Sequence, residues 1–245
     1  MLTPGMYLYH LRHDGDVVAL VAPHGLNRPV PACSPWDVRE VVAHLATVYD
    51  HKVMAMRLGR RPAEGEWLTD EPFGKSTVEW FEDEHAKVLA ELQAHSPTDP
   101  AWSWWEPDQT VGFWYRRMAL ETVVHRVDVE SGFGVPRGID PELAVDGIDE
   151  VLTLMLGGDD EAAVDVPGTG TVNVRSGGDA WSVRLENAVT VVEPEAHPSP
   201  DAELSGDPGD VFLYLWGRVP IDTLTRTGDE SRIALMRARL AAATQ

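Results

Sequence analysis

The chain has few cysteines, and few basic residues compared with acidic ones. Among its 245 residues there is one cysteine, Cys33, so no disulfide can form within the chain, and this usage is typical of a reducing compartment. Lys and Arg number 20 against 40 Asp and Glu, which gives a formal net charge of -20. Because such a surface repels phosphate backbones and anionic lipid headgroups, we expect neither nucleic acid nor a membrane as a partner.

Long apolar runs are also absent. No stretch approaches the roughly 20 apolar residues that a membrane-spanning helix requires. The first residues, Met1 to Gly5, show neither the basic nor the apolar region of a signal peptide. We therefore expect a cytoplasmic protein. No Gly-rich phosphate loop, no GxSxG nucleophile elbow and no cysteine pair at zinc-finger spacing occurs either.

What the sequence does contain is a series of helix signals. Ser34 followed by Pro35 predicts a helix that begins with Ser34 as its N-cap. Apolar residues then recur at helical spacing, and His44 lies three residues after Val41 and four before Val48. The side chain of His44 is therefore expected to face the core.

Further helices and strands follow, and the spacing of apolar residues changes from helical to alternating after residue 158. A capping box at Ser76 to Glu79 predicts a helix that ends near Ser96, and others are expected over 7–21, 110–131, 140–157, 210–216 and 230–243. Alternation predicts strands at 171–175, 181–185 and 188–192, with a turn at Gly177 and Gly178. We predict a helical bundle over residues 1–158 and a small α+β domain over 159–245, divided at the acidic stretch 157–165.

Glu121 and His125 are the first candidate ligands. They are four residues apart and share one face of the predicted helix 110–131, at the border of its apolar side. Because burying a carboxylate and an imidazole without partners is costly, they need a metal or each other. With His44 from another helix they would form a site with an open coordination position, as catalytic zinc requires. A polar pair bonded to nearby arginines is the alternative, and the spacing leaves both open.

Two further residues, Asp128 and Cys33, each allow two interpretations. Asp128 returns to the face of Glu121, where it would accept the second ring N–H of a ligating histidine. It would equally form a surface salt bridge with Arg116 or Arg126. Cys33 is either a thiol activated by a helix dipole or an ordinary small loop residue.

Two segments of the chain resemble the signatures of a known family. Residues 30–45, VPACSPWDVREVVAHL, resemble the opening signature of the mycothiol-dependent maleylpyruvate isomerase family. Residues 121–128, ETVVHRVD, preceded by paired arginines, resemble its second signature, and Tyr214 to Arg218 resembles part of its C-terminal domain. The resemblance implies an α+β protein overall, with a DinB-like four-helix bundle followed by a small sterol-carrier-like α+β domain. It also implies a divalent-metal site, usually zinc, at His44, Glu121 and His125.

The function that this resemblance implies is that of a zinc-dependent enzyme with mycothiol as its thiol cosubstrate. The thiol sulfur, activated at the open position of the metal, would attack a small electrophilic substrate, either isomerising an activated double bond or displacing a leaving group. Arg218 is a candidate for contacting a substrate carboxylate or the thiol, and is otherwise a surface residue after a Gly turn. Two other functions remain: a non-catalytic protein that binds a metal or small ligand for regulation, and metal-assisted hydrolysis.

Overall fold

The computed structural model describes residues 1–134, 136–158 and 160–244, and the chain divides into two compact units, Met1–Arg137 and Gly138–Gln245. The first unit is helical and the second combines a sheet with helices, which confirms the α+β class. The sequence analysis places the boundary later, after residue 158. Asp159, with which the predicted second domain begins, lies outside the described residues.

The described part of the first unit contains four α-helices: α1 (Pro4–Val21), α2 (Val38–Leu58), α3 (Thr77–Ala94) and α4 (Val111–Ser131). Helix α1 packs against α3 and α4, and α2 packs against the same two helices. Their apolar faces bury large side chains completely, among them Leu11, Leu45, Trp80, Trp114 and Met118. The predicted helices at 76 and 110 are confirmed, including the Ser76 to Glu79 capping box.

The predicted start of α2 is wrong. The helix begins at Val38, and its N-cap is Asp37 instead of Ser34. The backbone N–H of Glu40 donates to Asp37 Oδ1 at 3.1 Å, and the Glu40 carboxylate accepts from the Asp37 N–H at 2.8 Å. This reciprocal box satisfies two N–H groups that Ser34 could not reach from three residues upstream.

Helix α4 is buried on nearly all sides, so its charged residues need partners inside the unit. Arg126 donates to Asp14 of α1 at 3.1 Å and to Glu130 at 2.7 Å. Arg137 also donates to Glu130, at 2.7 Å. The face of α4 toward α1 is thus held by ion pairs as well as by apolar packing.

The described part of the second unit contains the strands β1 (Gly170–Ser176), β2 (Asp179–Leu185), β3 (Thr190–Glu193), β4 (Ala202–Ser205) and β5 (Thr225–Gly228). They form one sheet in the order β3-β2-β1-β4-β5. Strands β1 and β4 run parallel, and the other neighbours are antiparallel. The β1–β2 turn at Gly177 and Gly178 has φ angles of 61° and 93°, which glycine adopts without strain. The three predicted strands are confirmed, whereas the two short strands β4 and β5 were not predicted.

Helix α5 (Pro141–Glu150), which continues as a π-helical turn over Val151–Leu156, packs within the second unit against α7 (Pro208–Leu215). A Cβ at Gly147 would lie 2.5 Å from the Phe212 ring, so these two helices approach closely. This packing explains why the compact division precedes α5. The unit also contains α6 (Asp160–Asp165) and α8 (Glu230–Ala243). Within the described residues, no helix is long and apolar enough to cross a membrane.

Candidate metal centre

The packing of α2 against α4 brings together three side chains that the sequence analysis singled out. The Nε2 atoms of His44 and His125 lie 3.1 Å and 3.3 Å from Glu121 Oε1. The two imidazole rings meet edge to face, with centroids 4.8 Å apart. One donor atom from each of the three residues lies within 4.8 Å of the others.

These distances fit a single bound cation. Donor atoms bonded at about 2.1 Å to one tetrahedral ion lie about 3.4 Å apart, close to the two nitrogen–oxygen distances observed here. Two imidazole nitrogens and one carboxylate oxygen are ligands that zinc and several other divalent ions accept. Three protein ligands leave a tetrahedral ion one position for an exogenous group.

The carboxylate of Glu121 is held from two directions. Arg117, one helical turn earlier on α4, donates to Glu121 Oε2, while Oε1 faces the two histidines. Burial alone would raise the pKa of the Glu121 carboxyl, but the charge of Arg117 and the histidine hydrogen bonds keep it well below its usual value. Glu121 is therefore an anion at neutral pH. Arg117 was not predicted as a site residue, although the paired arginines were part of the second signature.

Asp128 holds the other side of His125. The Nδ1–H of His125 donates to Asp128 Oδ2 at 2.9 Å, and Asp128 is fully buried. Burial disfavours the imidazolium, but the hydrogen bonds to Asp128 and Glu121 outweigh it and raise the pKa of His125 to about 9. Cys33 Sγ also donates to Asp128 Oδ2, at 3.3 Å. Asp128 thus makes the contact to His125 that one of its two predicted roles requires.

The centre opens to solvent on the side of His44. About a third of the His44 side chain is exposed, against 14% for Glu121 and 11% for His125. Trp36, in the loop before α2, packs beside the His44 ring with centroids 5.3 Å apart. An incoming molecule would therefore approach past His44 and Trp36.

Arg218, the remaining predicted site residue, belongs to the second unit and follows α7. Its backbone N–H donates to Leu213 O at 2.7 Å, and its Nη1 donates to Trp216 O at 2.7 Å. The guanidinium lies 5.9 Å from the centre of the Trp216 ring. Arg237 of α8 is a second cation near Arg218. Burial lowers the pKa of Arg237, and the positive charge of Arg218 lowers it further.

Comparisons with known proteins give two family matches that lie in the two units. Residues 13–130 match the family described as mycothiol maleylpyruvate isomerase N-terminal domain, and residues 142–235 match the MDMPI C-terminal domain. The second match begins after the end of the first compact unit. No curated protein sequence matches the chain.

Two solved structures resemble the chain over nearly its whole length. The crystal structure of mycothiol-dependent maleylpyruvate isomerase has a TM-score of 0.62 at 14% identity, with 92% of this chain and 93% of that chain covered. A variant of that enzyme with one histidine replaced by alanine has a TM-score of 0.64 at 12% identity, with the same coverage. At these identities the likeness establishes a shared fold. The UbiJ-SCP2 ubiquinone synthesis protein matches 44% of this chain and 96% of its own, at 16% identity and a TM-score of 0.30.

Proposed function

The chain belongs to the mycothiol maleylpyruvate isomerase family, and from this premise we propose that it is a metal-dependent enzyme in which mycothiol acts as the nucleophile on a small electrophilic substrate. The observation that supports the proposal most is the convergence of His44, Glu121 and His125 at distances that suit one divalent ion. Zinc is the ion we propose, because it accepts this ligand set and the family precedent favours it.

The role of a bound metal would be to activate the thiol as a nucleophile. A divalent cation at this centre lowers the pKa of a thiol bound to it and so makes a thiolate available at neutral pH. Residues of the chain set the charge and the orientation of the ligands.

Asp128 prepares His125 for ligation. Because Asp128 accepts the Nδ1–H, the neutral ring of His125 carries its proton on Nδ1 and presents the Nε2 lone pair to Glu121 and His44. The pKa of about 9 means that this ring holds a second proton at neutral pH, which a metal must displace.

Arg117 prepares Glu121 in a similar way. Its contact occupies Oε2 and fixes the carboxylate plane, so Oε1 is the oxygen available as a ligand. A neutral glutamic acid would be a poor ligand, and the positive charge of Arg117 prevents protonation at neutral pH.

For the reaction we propose isomerisation of an activated double bond. The thiol sulfur adds to one carbon, rotation occurs about the resulting single bond, and the sulfur leaves again, so that the thiol is regenerated. Arg218 is proposed to contact a carboxylate of the substrate or part of the thiol, because a guanidinium binds such groups through two hydrogen bonds. Transfer of the thiol to a substrate with a leaving group would use the same nucleophile.

The first experiment measures metal content and thiol ligation together. We expect about one zinc ion per chain in the wild type and loss of that metal in His44→Ala and His125→Ala. In the cobalt-substituted wild type, mycothiol should produce a sulfur-to-cobalt charge-transfer band. Thiol-dependent isomerisation of maleylpyruvate should disappear in both variants.

A matched control is His24→Ala, because His24 is exposed and lies in a short turn outside the cluster. It should retain metal and activity. The proposed function would be refuted if the wild type bound no metal when zinc is supplied, or if His125→Ala kept full turnover. A cobalt spectrum that mycothiol leaves unchanged would refute the thiol mechanism and favour a regulatory metal-binding role.

A further inference from the structure

Lys52 lies on α2, about 80° around the helix axis from His44. The two residues are eight positions apart, which is just over two helical turns and a rise of roughly 12 Å. Side chains on a helix lean toward its N-terminal end, which for Lys52 is the end of α2 that carries His44. On α4, Trp114 and Glu121 are seven positions apart, so Trp114 is two turns from the candidate ligand.

The Lys52 ammonium packs over aromatic rings. Its Nζ lies 5.4 Å from the centre of the Trp114 ring and 5.5 Å from that of Trp104. Trp114 is fully buried, whereas Trp104 is 43% exposed, so the ammonium sits at the edge between core and solvent. The contact to α4 places Lys52 in the groove between α2 and α4 that also contains the metal centre.

Lys52 differs from the other two lysines of the chain in its partners. Lys75 forms an ion pair with Asp83, and Lys87 forms one with Glu84 at 2.7 Å. Within the part of the chain that the structure describes, no carboxylate is ion-paired with Lys52, although acidic residues outnumber basic ones twofold. Its one described hydrogen bond is with His51 Nδ1 at 3.1 Å, a neutral acceptor.

The charge of Lys52 is costly in this position. Burial lowers the pKa of Lys52 to about 8, with further lowering from Arg117 and Arg61 and an opposing effect from Glu121. The amine is still protonated at neutral pH. Glu121 does not neutralise it, because that carboxylate is already bound by Arg117.

The balance of charges along the groove points to an anionic occupant. The charges that act on Lys52 are two cations, Arg117 and Arg61, and one carboxylate, Glu121, so a divalent ion at the centre would add to an excess of positive charge. A thiolate and a carboxylate together would compensate that excess. The carboxylate would meet a largely buried ammonium that is ion-paired with no carboxylate among the described residues.

We infer that Lys52 binds a carboxylate of the small electrophile and so orients that molecule toward the metal centre in the groove between α2 and α4. This assignment rests on the proposed function for its substrate, and the positioning cation belongs to the helical unit. The ligand class is a small carboxylate that presents its electrophilic carbon on the side of His44.

The test is direct binding of maleate, measured by titration calorimetry on the full chain without thiol, in both metal-free and zinc-loaded protein. Lys52→Met should weaken maleate binding by about tenfold or more, since it removes one charge-assisted contact. Lys52→Arg should restore most of the affinity. Lys75→Met removes an exposed lysine of the same type and should bind maleate as the wild type does.

Two further readouts separate this inference from the proposed function. Zinc content and thermal stability of Lys52→Met should equal those of the wild type, because Lys52 is not a ligand. The uncharged maleamide should bind wild type and Lys52→Met with equal affinity. In turnover, Lys52→Met should raise KM for the carboxylate substrate more than it lowers kcat.

Equal maleate affinity in Lys52→Met and wild type, or no maleate binding to the wild type, would overturn the inference. Lys52-dependent maleate binding in a protein that shows no thiol-dependent turnover would refute the proposed function and leave the anion site standing.

Discussion

Asp128 connects the candidate metal centre to the interior of the helical unit. It accepts hydrogen bonds from His125 Nδ1 and Cys33 Sγ and is inaccessible to solvent. Ligating histidines commonly have such a carboxylate behind them, where it fixes the tautomer and strengthens the ligand. The candidate ligand His125 and the carboxylate proposed to orient it are therefore three positions apart on one helix.

We expect Asp128→Asn to weaken zinc binding by roughly 10- to 100-fold, because the amide no longer supplies the negative charge behind His125. Competition with a chromophoric chelator measures the affinity. Asp70→Asn changes an exposed loop carboxylate and should leave the affinity unchanged. Equal zinc affinity in Asp128→Asn and wild type would contradict the assigned role.

His85 is a buried histidine with no place in the metal centre. Its Nε2 lies 3.0 Å from the carbonyl oxygen of Leu11, to which it donates, and its ring stacks on Phe81. Burial lowers the pKa of His85 below its ordinary value, in spite of that hydrogen bond. At a pH between the lowered pKa and the ordinary pKa of histidine, the ring is therefore neutral in the folded protein and protonated in the unfolded chain.

A pH-dependent stability follows from this difference. As the pH falls below about 6.5, the ordinary pKa of histidine, the unfolded chain takes up a proton at His85 that the folded protein resists, so unfolding becomes easier. We expect the stability advantage of wild type over His85→Gln to shrink between pH 7 and pH 5 in urea unfolding experiments. A constant difference would refute the prediction.

At the scale of elements, helices α1 and α3 pack closely because α1 has a glycine, Gly15, at their contact. A Cβ at Gly15 of α1 would fall on the His85 ring of α3, and the ring cannot retreat because it is buried. By contrast, a Cβ at Gly5, in the first turn of the same helix, meets no atom within 4 Å.

Gly15→Ala should therefore destabilise the protein by about 1–3 kcal/mol through overpacking, although alanine favours helix more than glycine does. Gly5→Ala should be neutral or stabilise by up to about 1 kcal/mol. Thermal unfolding of the two variants provides the comparison. A stabilised Gly15→Ala would show that the helices can move apart at no cost.

Element boundaries followed local signals where capping was unambiguous. The box at Ser76 and Glu79 and the span of α4 were predicted because their signals lie within a few residues of each other. Ser34 was mistaken for an N-cap because it also precedes a proline, and the better box at Asp37 and Glu40 decided the real start. Strands β4 and β5 were missed because four-residue strands show too little alternation.

At the scale of the whole molecule, the division after Arg137 assigns α5 to the second unit. We expect fragment 1–137 to fold and bind zinc, and fragment 138–245 to unfold cooperatively. Fragment 159–245 lacks α5, which covers Phe212 of α7, and should lose cooperative unfolding. Circular dichroism and urea titration of the three fragments test this. Equal cooperativity in 138–245 and 159–245 would instead support a boundary after residue 158.

The sequence by itself determined the α+β class, most helices, three strands and the pairing of Glu121 with His125 on one face of α4. These features depend on periodicity and capping, which act over a few residues. The tertiary structure decided the rest: that His44 lies beside that pair, that α5 packs on α7, and that Lys52 is ion-paired with no carboxylate among the described residues. Each of these depends on contacts between residues distant in the chain, which local spacing does not specify.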